Sequence, residues 1–298
     1  MTTDRRAQLA ANLDEVRGRI ARACQAAGRA VESVTLVAIT KTYPASDVEL
    51  LASLGITDVG ENKDQEAAAK AAEISADGVA AGLRWHFVGQ LQRNKAKSVV
   101  RYAEVVESVD SLRLAAALSK AAAQHRSTPL DVLIQISLDG DPSRGGAVAG
   151  GSGTDSGDVA EAARTSGSSR SVPLSSLSVP SVPSVPGSSP SAHSRASFDI
   201  SGFPDSGDGE RDLWRVADAV AAADGLRLAG VMAVAPVGWD PDRAFAVLAG
   251  LAARLRERHP AATAISAGMS GDLEAAIKHG ATHVRIGSSL LGKRNTLR

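Results

Sequence analysis

A parallel (β/α)8 barrel, an α/β fold, is what the sequence predicts, and two observations carry the prediction. Eight short apolar runs alternate with segments in which Ala and Leu recur at helical spacing. The last two strand-to-helix junctions are also both rich in Gly and Ser. A third feature gives the barrel a chemistry: a lone lysine, Lys41, ends the first strand-like run.

The opening, Met1-Thr2-Thr3-Asp4-Arg5-Arg6, leads into an amphipathic helix rather than the apolar core of a signal peptide. The first strand is expected at 34–39, within Val34-Thr35-Leu36-Val37-Ala38-Ile39-Thr40-Lys41, followed by a turn and a helix over 46–54. Strands at 57–60 and 84–89 flank a helix over 62–74, and strands at 104–109 and 130–137 follow helices over 93–101 and 111–124 respectively. Helices over 211–224, 241–258 and 271–279 then alternate with strands at 226–234, 263–267 and 282–286. In such a barrel all eight strands open at their C-terminal ends onto one face, and closure sets strand 1 beside strand 8. Lys41 and Gly287-Ser288 are therefore expected to be neighbours despite their distance in sequence.

One stretch does not fit the barrel. From Ala147 to Glu210 the chain is dominated by Ser and Gly, holds six of its twelve prolines and repeats Ser-Val-Pro at 171, 178, 181 and 184. Such a composition buries too little apolar surface to offset its ordering entropy, so 147–210 reads as a disordered low-complexity insertion after strand 5. The remaining segments, 1–146 and 211–298, approach the roughly 250 residues of a single barrel domain. The insertion leaves from the face that holds the strand ends, where a lid is conceivable, and a tolerated loop expansion is the simpler reading.

Composition narrows the function. With 33 basic and 33 acidic side chains the formal net charge is zero, and aromatic residues make up 3% of the chain. Neither a long-range field nor a supply of stacking rings points to nucleic acid, and no apolar run is long enough to span a bilayer. The short basic cluster Arg93-Asn94-Lys95-Ala96-Lys97 reads as a solvated helix face. Cys24 is the only cysteine, which excludes an intrachain disulfide and a thiolate metal cluster, and a cytoplasmic location is expected.

Lys41 taken alone is open to two readings, a surface lysine capping a strand or an amine that forms a Schiff base with an aldehyde. The second needs a neutral amine, which desolvation or a neighbouring cation favours. The junctions Ser266-Ala267-Gly268-Met269-Ser270-Gly271 and Arg285-Ile286-Gly287-Ser288-Ser289 turn amides and hydroxyls outward, as an anion site requires. Each also has a plain structural reading, with Ser270 as a helix cap and Gly287 as a tight turn. Lysine and loops together fit an aldehyde-bearing phosphate cofactor.

Five stretches, Leu36-Val37-Ala38-Ile39-Thr40-Lys41-Thr42, Val59-Gly60-Glu61-Asn62, Trp85-His86-Phe87-Val88-Gly89-Gln90-Leu91-Gln92-Arg93-Asn94-Lys95, Gly268-Met269-Ser270 and Val284-Arg285-Ile286-Gly287-Ser288, occur in that order. In these the chain resembles the pyridoxal 5′-phosphate (PLP) homeostasis protein family, single-barrel proteins related to the barrel domain of alanine racemase. The resemblance implies that Lys41 forms the Schiff base, that Ser270, Gly287 and Ser288 hold the phosphate, and that Arg285 faces the pyridine nitrogen. It sets Asn62 and the Trp85-His86-Phe87 strand at the rim of the site. The residues themselves leave alternatives there: Asn62 as a helix cap, Trp85 and Phe87 as packing, and His86 as a satisfied polar residue.

The implied function is a PLP carrier that buffers the cofactor and passes it to PLP-dependent apoenzymes, as a monomer and without committed turnover. A PLP-dependent racemase is the alternative. It needs a second base opposite the lysine, and the only tyrosines are Tyr43, two residues from Lys41, and Tyr102. The C-terminal β-domain that supplies that base in alanine racemase is not expected in a chain ending at Arg298. A weaker third reading is a PLP-free barrel isomerase using Lys41 as an aldolase-type amine.

Overall fold

The computed structural model describes residues 2–74, 80, 82–140, 145–149 and 210–292. The eight expected strands all form: β1 Thr35–Ile39, β2 Asp58–Glu61, β3 Arg84–Phe87, β4 Val105–Val109, β5 Leu130–Gln135, β6 Leu226–Met232, β7 Ala264–Ser266 and β8 His283–Ile286. They pair in parallel and in sequence order into a closed barrel, so the fold is the predicted one. Closure comes from β1 on β8, with Thr35 opposite His283 and Ala38 opposite Ile286.

Strands buried on both sides need continuous apolar runs, which is how β1, β4 and β5 read. Their helix-facing residues merge with the apolar faces of α2 (Ala45–Ser53), α3 (Asp64–Glu73), α4 (Ala96–Val99), α5 (Leu112–His125), α6 (Leu213–Ala222), α7 (Pro241–Arg258), α8 (Leu273–Lys278) and α9 (Ser288–Leu291). The helix expected over 93–101 is instead a 3-10 turn, Arg93–Lys95, running into the short α4. The helix after β7 begins at Leu273 with Asp272 as its N-cap residue, so Ser270 is not the cap.

The first helix, α1 (Thr2–Ala26), buries Leu9, Leu13, Val16, Ile20 and Cys24, a stripe at helical spacing. It packs across α8 and α9, and its polar side chains satisfy carbonyls that helix ends leave open. Asn12 donates to Leu290 O at 2.8 Å and Arg5 to Leu291 O at 3.1 Å, and Arg29, just past the helix, donates to Ile277 O at 2.9 Å and Ala281 O at 2.8 Å.

Most of the segment expected as an insertion, residues 150–209, lies outside the described residues. Its expected bounds of 147 and 210 shift inward. Ala147 is fully buried, donates to Gln135 O at 2.7 Å and accepts from Ser137 N at 2.9 Å, while Leu213 N donates to Val148 O at 2.9 Å. Glu210 O accepts from Leu112 N at 3.0 Å. The residues on either side of 150–209 thus belong to the hydrogen bonding of the barrel.

At Gly230 the β5–β6 register slips between Val132 and Leu133, and the bulge gives this residue a φ of 156°. A Cβ there would lie 1.9 Å from the carbonyl oxygen of Ala264 on β7, which is backbone and cannot yield. Gly230→Ala is expected to cost at least ~2 kcal/mol, from strain and overpacking together, and to lower the thermal midpoint. A differential scanning calorimetry trace that matches the parent would refute this account of the bulge.

Candidate functional site

Side chains alternate along β1, so Val37, Ile39 and the following Lys41 share the face toward the barrel axis while Ala38 and Thr40 face the helices. Thr40 is fully buried on that outer side and fixes where Lys41 points. Its hydroxyl donates to Glu61 Oε1 at 2.7 Å, and its carbonyl accepts from Lys70 Nζ at 2.8 Å. Lys70 is itself buried and also donates to Glu61 Oε1 at 2.7 Å and Glu66 Oε1 at 2.9 Å, so its three ammonium protons each have a partner.

The turn beyond Lys41 is held by the same group. Thr42 takes a left-handed φ of 69°, a costly conformation outside glycine, and its amide donates to Glu66. Tyr43 N closes the turn on Thr40 O at 3.0 Å, and the Tyr43 hydroxyl donates to Gly292 O at 2.8 Å. Among the described residues no ion pair or hydrogen bond engages the Lys41 amine.

Across the β1–β8 seam, two junctions meet. Gly268, at φ 88°, makes the sharp exit from β7 where a Cβ would strike that of Ala276 at 2.6 Å. The chain then returns through Met269 N, which donates to Asp272 Oδ1 at 2.6 Å. Ser270 Oγ accepts from Ser289 N and from Ser288 Oγ, both at 3.3 Å, which links the loop after β7 to the first turn of α9. Arg19 of α1 steadies this loop by donating to Ser270 O at 2.9 Å while gripping Glu274 with Nε and Nη2 at 2.7 and 2.8 Å.

Lys41, Ser270, Arg285, Gly287 and Ser288 all line one cavity of about 630 Å³ at the strand ends. Ile39, Met232 and Val234 supply apolar wall, and Tyr43 and Gly292 form part of the rim. The volume is in the range of small-molecule sites, and a few convergent polar groups on an apolar lining is their usual composition. Arg285 is buried at the floor, with Nη1 donating to Ser266 Oγ at 2.7 Å and Nη2 to Ala233 O at 2.8 Å.

Two expected site residues are placed elsewhere. His86 is buried deeper in the barrel, with Nδ1 2.7 Å from Glu107 Oε1 and Nε2 2.9 Å from Asp58 Oδ1, and it does not line the cavity. Its position on β3 is one pleat too low, so the side chain meets β2 and β4 instead of a ligand. Burial pushes the His86 value down, but the hydrogen bonds to Asp58 and Glu107 outweigh it and leave the net shift upward. Burial likewise raises Glu107, and the His86 hydrogen bond and charge, with help from Arg285 and Ser266, bring it down to about 2. Asn62 also lies off the cavity lining and caps no helix. Its Oδ1 is buried without a partner among the described residues, and its backbone abuts Gly89, where a Cβ would come within 2.2 Å of Asn62 O.

Of the two tyrosines, Tyr102 sits outside the barrel, edge-on to Trp85 at 6.5 Å and 3.5 Å from Asp64. Burial first, and then Asp64, push its hydroxyl above the usual range. Sequence reasoning missed Glu61, Glu66 and Lys70 as the clamp on the lysine turn. The i, i+4 spacing of Glu66 and Lys70 on α3 was the available signal. Among the described residues no cluster of His, Cys, Asp or Glu is arranged to hold a metal ion, and no helix is long and apolar enough to cross a membrane.

No protein-family model matches the chain. The pyridoxal phosphate homeostasis protein of Mycobacterium tuberculosis is 38% identical over 302 residues, covering 98% of this chain and 95% of that protein. The protein of the same name from Escherichia coli is 31% identical over 290 residues, covering 96% and 97%. Among solved structures, PipY of Synechococcus elongatus with PLP bound aligns at 25% identity with a TM-score of 0.65, over 96% of this chain and 100% of that one.

The clamp makes a testable demand. Glu61 is fully buried, its Oε2 has no partner among the described residues, and burial already raises its value against the opposing hydrogen bonds from Lys70 and Thr40. Lys70→Met leaves that carboxylate without its cation, and at pH 7 the variant is expected to be less stable by about 3 kcal/mol. A raised carboxylate takes up a proton on folding, so the deficit should grow as pH rises from 4.5, the unperturbed value, and shrink below it. Urea unfolding between pH 4.5 and 8 measures this, and a deficit independent of pH would show that Glu61 is not the group left exposed to the loss.

Proposed function

The chain belongs to the pyridoxal phosphate homeostasis protein family, and from that premise we propose that it binds PLP covalently through Lys41 and carries it without committed turnover. One observation supports the assignment most: an unengaged lysine amine opens into the same cavity as the Ser270, Gly287 and Ser288 loops and the Arg285 guanidinium. Those are the groups the cofactor requires, a nucleophile for its aldehyde, hydroxyls and turn amides for its phosphate, and a charge at its ring. Bound PLP would supply an electrophilic aldehyde and a pyridine ring able to accept electrons.

Each residue then has a task. Lys41 is the amine that would hold the aldehyde carbon, with water as the leaving group, and Thr40, Glu61 and Lys70 keep its strand end in place. Ser270 and Ser288 would hold the phosphate with their hydroxyls, and Gly287 keeps the turn beside Ile39 free of a side chain. Arg285 is the guanidinium that would face the ring nitrogen. A permanent cation there disfavours a proton on that nitrogen, which weakens the ring as an electron sink. Asn62 and His86 support the site without touching the cofactor.

Neither tyrosine is placed to serve the racemase alternative as a second base. Tyr43 has its proton committed to Gly292 O and lies on the same strand end as Lys41, and Tyr102 is outside the barrel. We therefore read the chain as a monomeric carrier with PLP-dependent apoenzymes as recipients. Cys24, a buried free thiol, fits a reducing cytoplasmic compartment.

Lys41→Ala should abolish the visible absorption of the PLP-loaded protein and the borohydride-trapped adduct, with an unchanged unfolding midpoint. Peptide mapping that finds the adduct on another lysine defeats the assignment. The loaded parent should racemise alanine no faster than free PLP does. A faster rate that depends on Lys41 would favour the racemase.

Replacing 150–209 with a short Gly/Ser linker should leave PLP affinity and thermal midpoint unchanged, because the buried Ala147 and the bonded Val148 and Glu210 are retained. Loss of either property would mean that the segment is a folded part of the site.

A further inference from the structure

The barrel interior holds a line of polar side chains that carrier chemistry leaves without a task. It begins at the cavity floor, where Arg285 Nη1 donates to Ser266 Oγ at 2.7 Å. The Ser266 hydroxyl donates its only proton to Glu107 Oε2 at 2.7 Å. Glu107 Oε1 meets His86 Nδ1 at 2.7 Å, and His86 Nε2 meets Asp58 Oδ1 at 2.9 Å. Asp58 is also bonded by Thr57 Oγ1 at 2.6 Å and approached by Arg84 at 3.5 Å, near the opposite mouth of the barrel. Ser266 and Glu107 are fully buried and His86 is 1% exposed.

The order of donors along this line follows from what each group can do. An ionised carboxylate only accepts, so two carboxylates flanking one imidazole require both ring nitrogens to donate. His86 is then an imidazolium, and it holds Glu107 as the acceptor that turns the Ser266 hydroxyl away from the cavity. The oxygen of Ser266 is thereby left to accept from Arg285. With Ala233 O taking the second bond at 2.8 Å, the guanidinium is pinned by two neighbouring strands and has one orientation.

We propose that His86 is a positioning residue for Arg285, acting through Glu107 and Ser266 to fix the guanidinium that the cavity presents to the cofactor ring. The proposal rests on PLP as the cavity's ligand. The groups that face His86 agree with a protonated ring: Asp58 from β2 and Glu107 from β4 are in contact, and Arg285 is 3.8 Å from the far oxygen of Glu107. His283 of β8 is the other ionisable neighbour, with ring centroids 6.1 Å apart. Burial lowers its value, so it adds no competing cation.

The test has an arm that needs no cofactor. In the unloaded protein, nitrogen-15 NMR should find both His86 ring nitrogens protonated at pH 7.5, whereas one deprotonated nitrogen would overturn the proposal. In the loaded protein, Ser266→Ala and His86→Gln should each shift the visible band and weaken PLP binding about tenfold, or ~1.4 kcal/mol. The double variant should lose no more than either single one, because both cut the same chain. Additive losses, or a folded His86→Gln with the parent spectrum and affinity, would overturn it. If His86→Gln does not fold, Ser266→Ala and the nitrogen shifts decide, since an unshifted band in Ser266→Ala breaks the chain at its link to Arg285. A parent that shows no PLP band sinks the cofactor reading instead, and the NMR arm still reports on His86.

Discussion

The pairing of β1 with β8 is the contact on which the site depends. It joins Thr35 to His283 and Ala38 to Ile286, residues from the two ends of the described chain, and so brings Lys41 to the loop that carries Gly287 and Ser288. Neither side is a binding site without the other. In the proposed reading the lysine has no phosphate loop within its own segment, and the loops lack the amine. Parallel pairing also aligns the strand ends on one face, so the loops that follow the strands share common space.

That space is shaped by what is rigid around it. Thr40 is tied outward to Glu61 and Lys70, and the strained backbone of Thr42 is held by Glu66. Lys41 is therefore oriented by its neighbours and keeps an amine unengaged among the described residues, the division that the proposed Schiff base requires. Arg19 performs the same service for the facing loop through Ser270 O. A charged side chain that bonds only protein holds each wall in position, and the Lys41 amine within the cavity is left unengaged among the described residues.

The architecture was legible because it depends on local periodicity. Apolar runs such as Val105-Val106 and Leu130 to Ile134 declare buried strands, and Ala- and Leu-rich segments declare the helices between them. Lys41 and the Gly/Ser junctions were legible for the same reason, since a strand end is a local feature. The depth of an inward residue is not. His86 and Arg285 both point to the axis, yet only Arg285 reaches the cavity, because the stagger between strands sets each one's height and no single strand encodes it. Asp272 rather than Ser270 closes the helix after β7, a choice made by the turn at Gly268 and by Ser270's bonds to α9. Lys70 escaped notice because a lysine on a helix is ordinarily solvated, and only tertiary contact reveals that this one is buried.

The bonding of α1 has a consequence for how the molecule is made. Its apolar stripe, its Asn12 and Arg19 side chains, and Arg29 just beyond it are matched to α8, α9 and the loops beside them, all near the other end of the described chain. On the ribosome this helix emerges long before its partners, which lie at least 248 residues further along the chain. Leu9, Leu13, Val16 and Ile20 are meanwhile exposed or shielded by a chaperone. The barrel cannot close and lock in stages from its beginning, and a truncated nascent chain would hold a lysine turn but no facing wall.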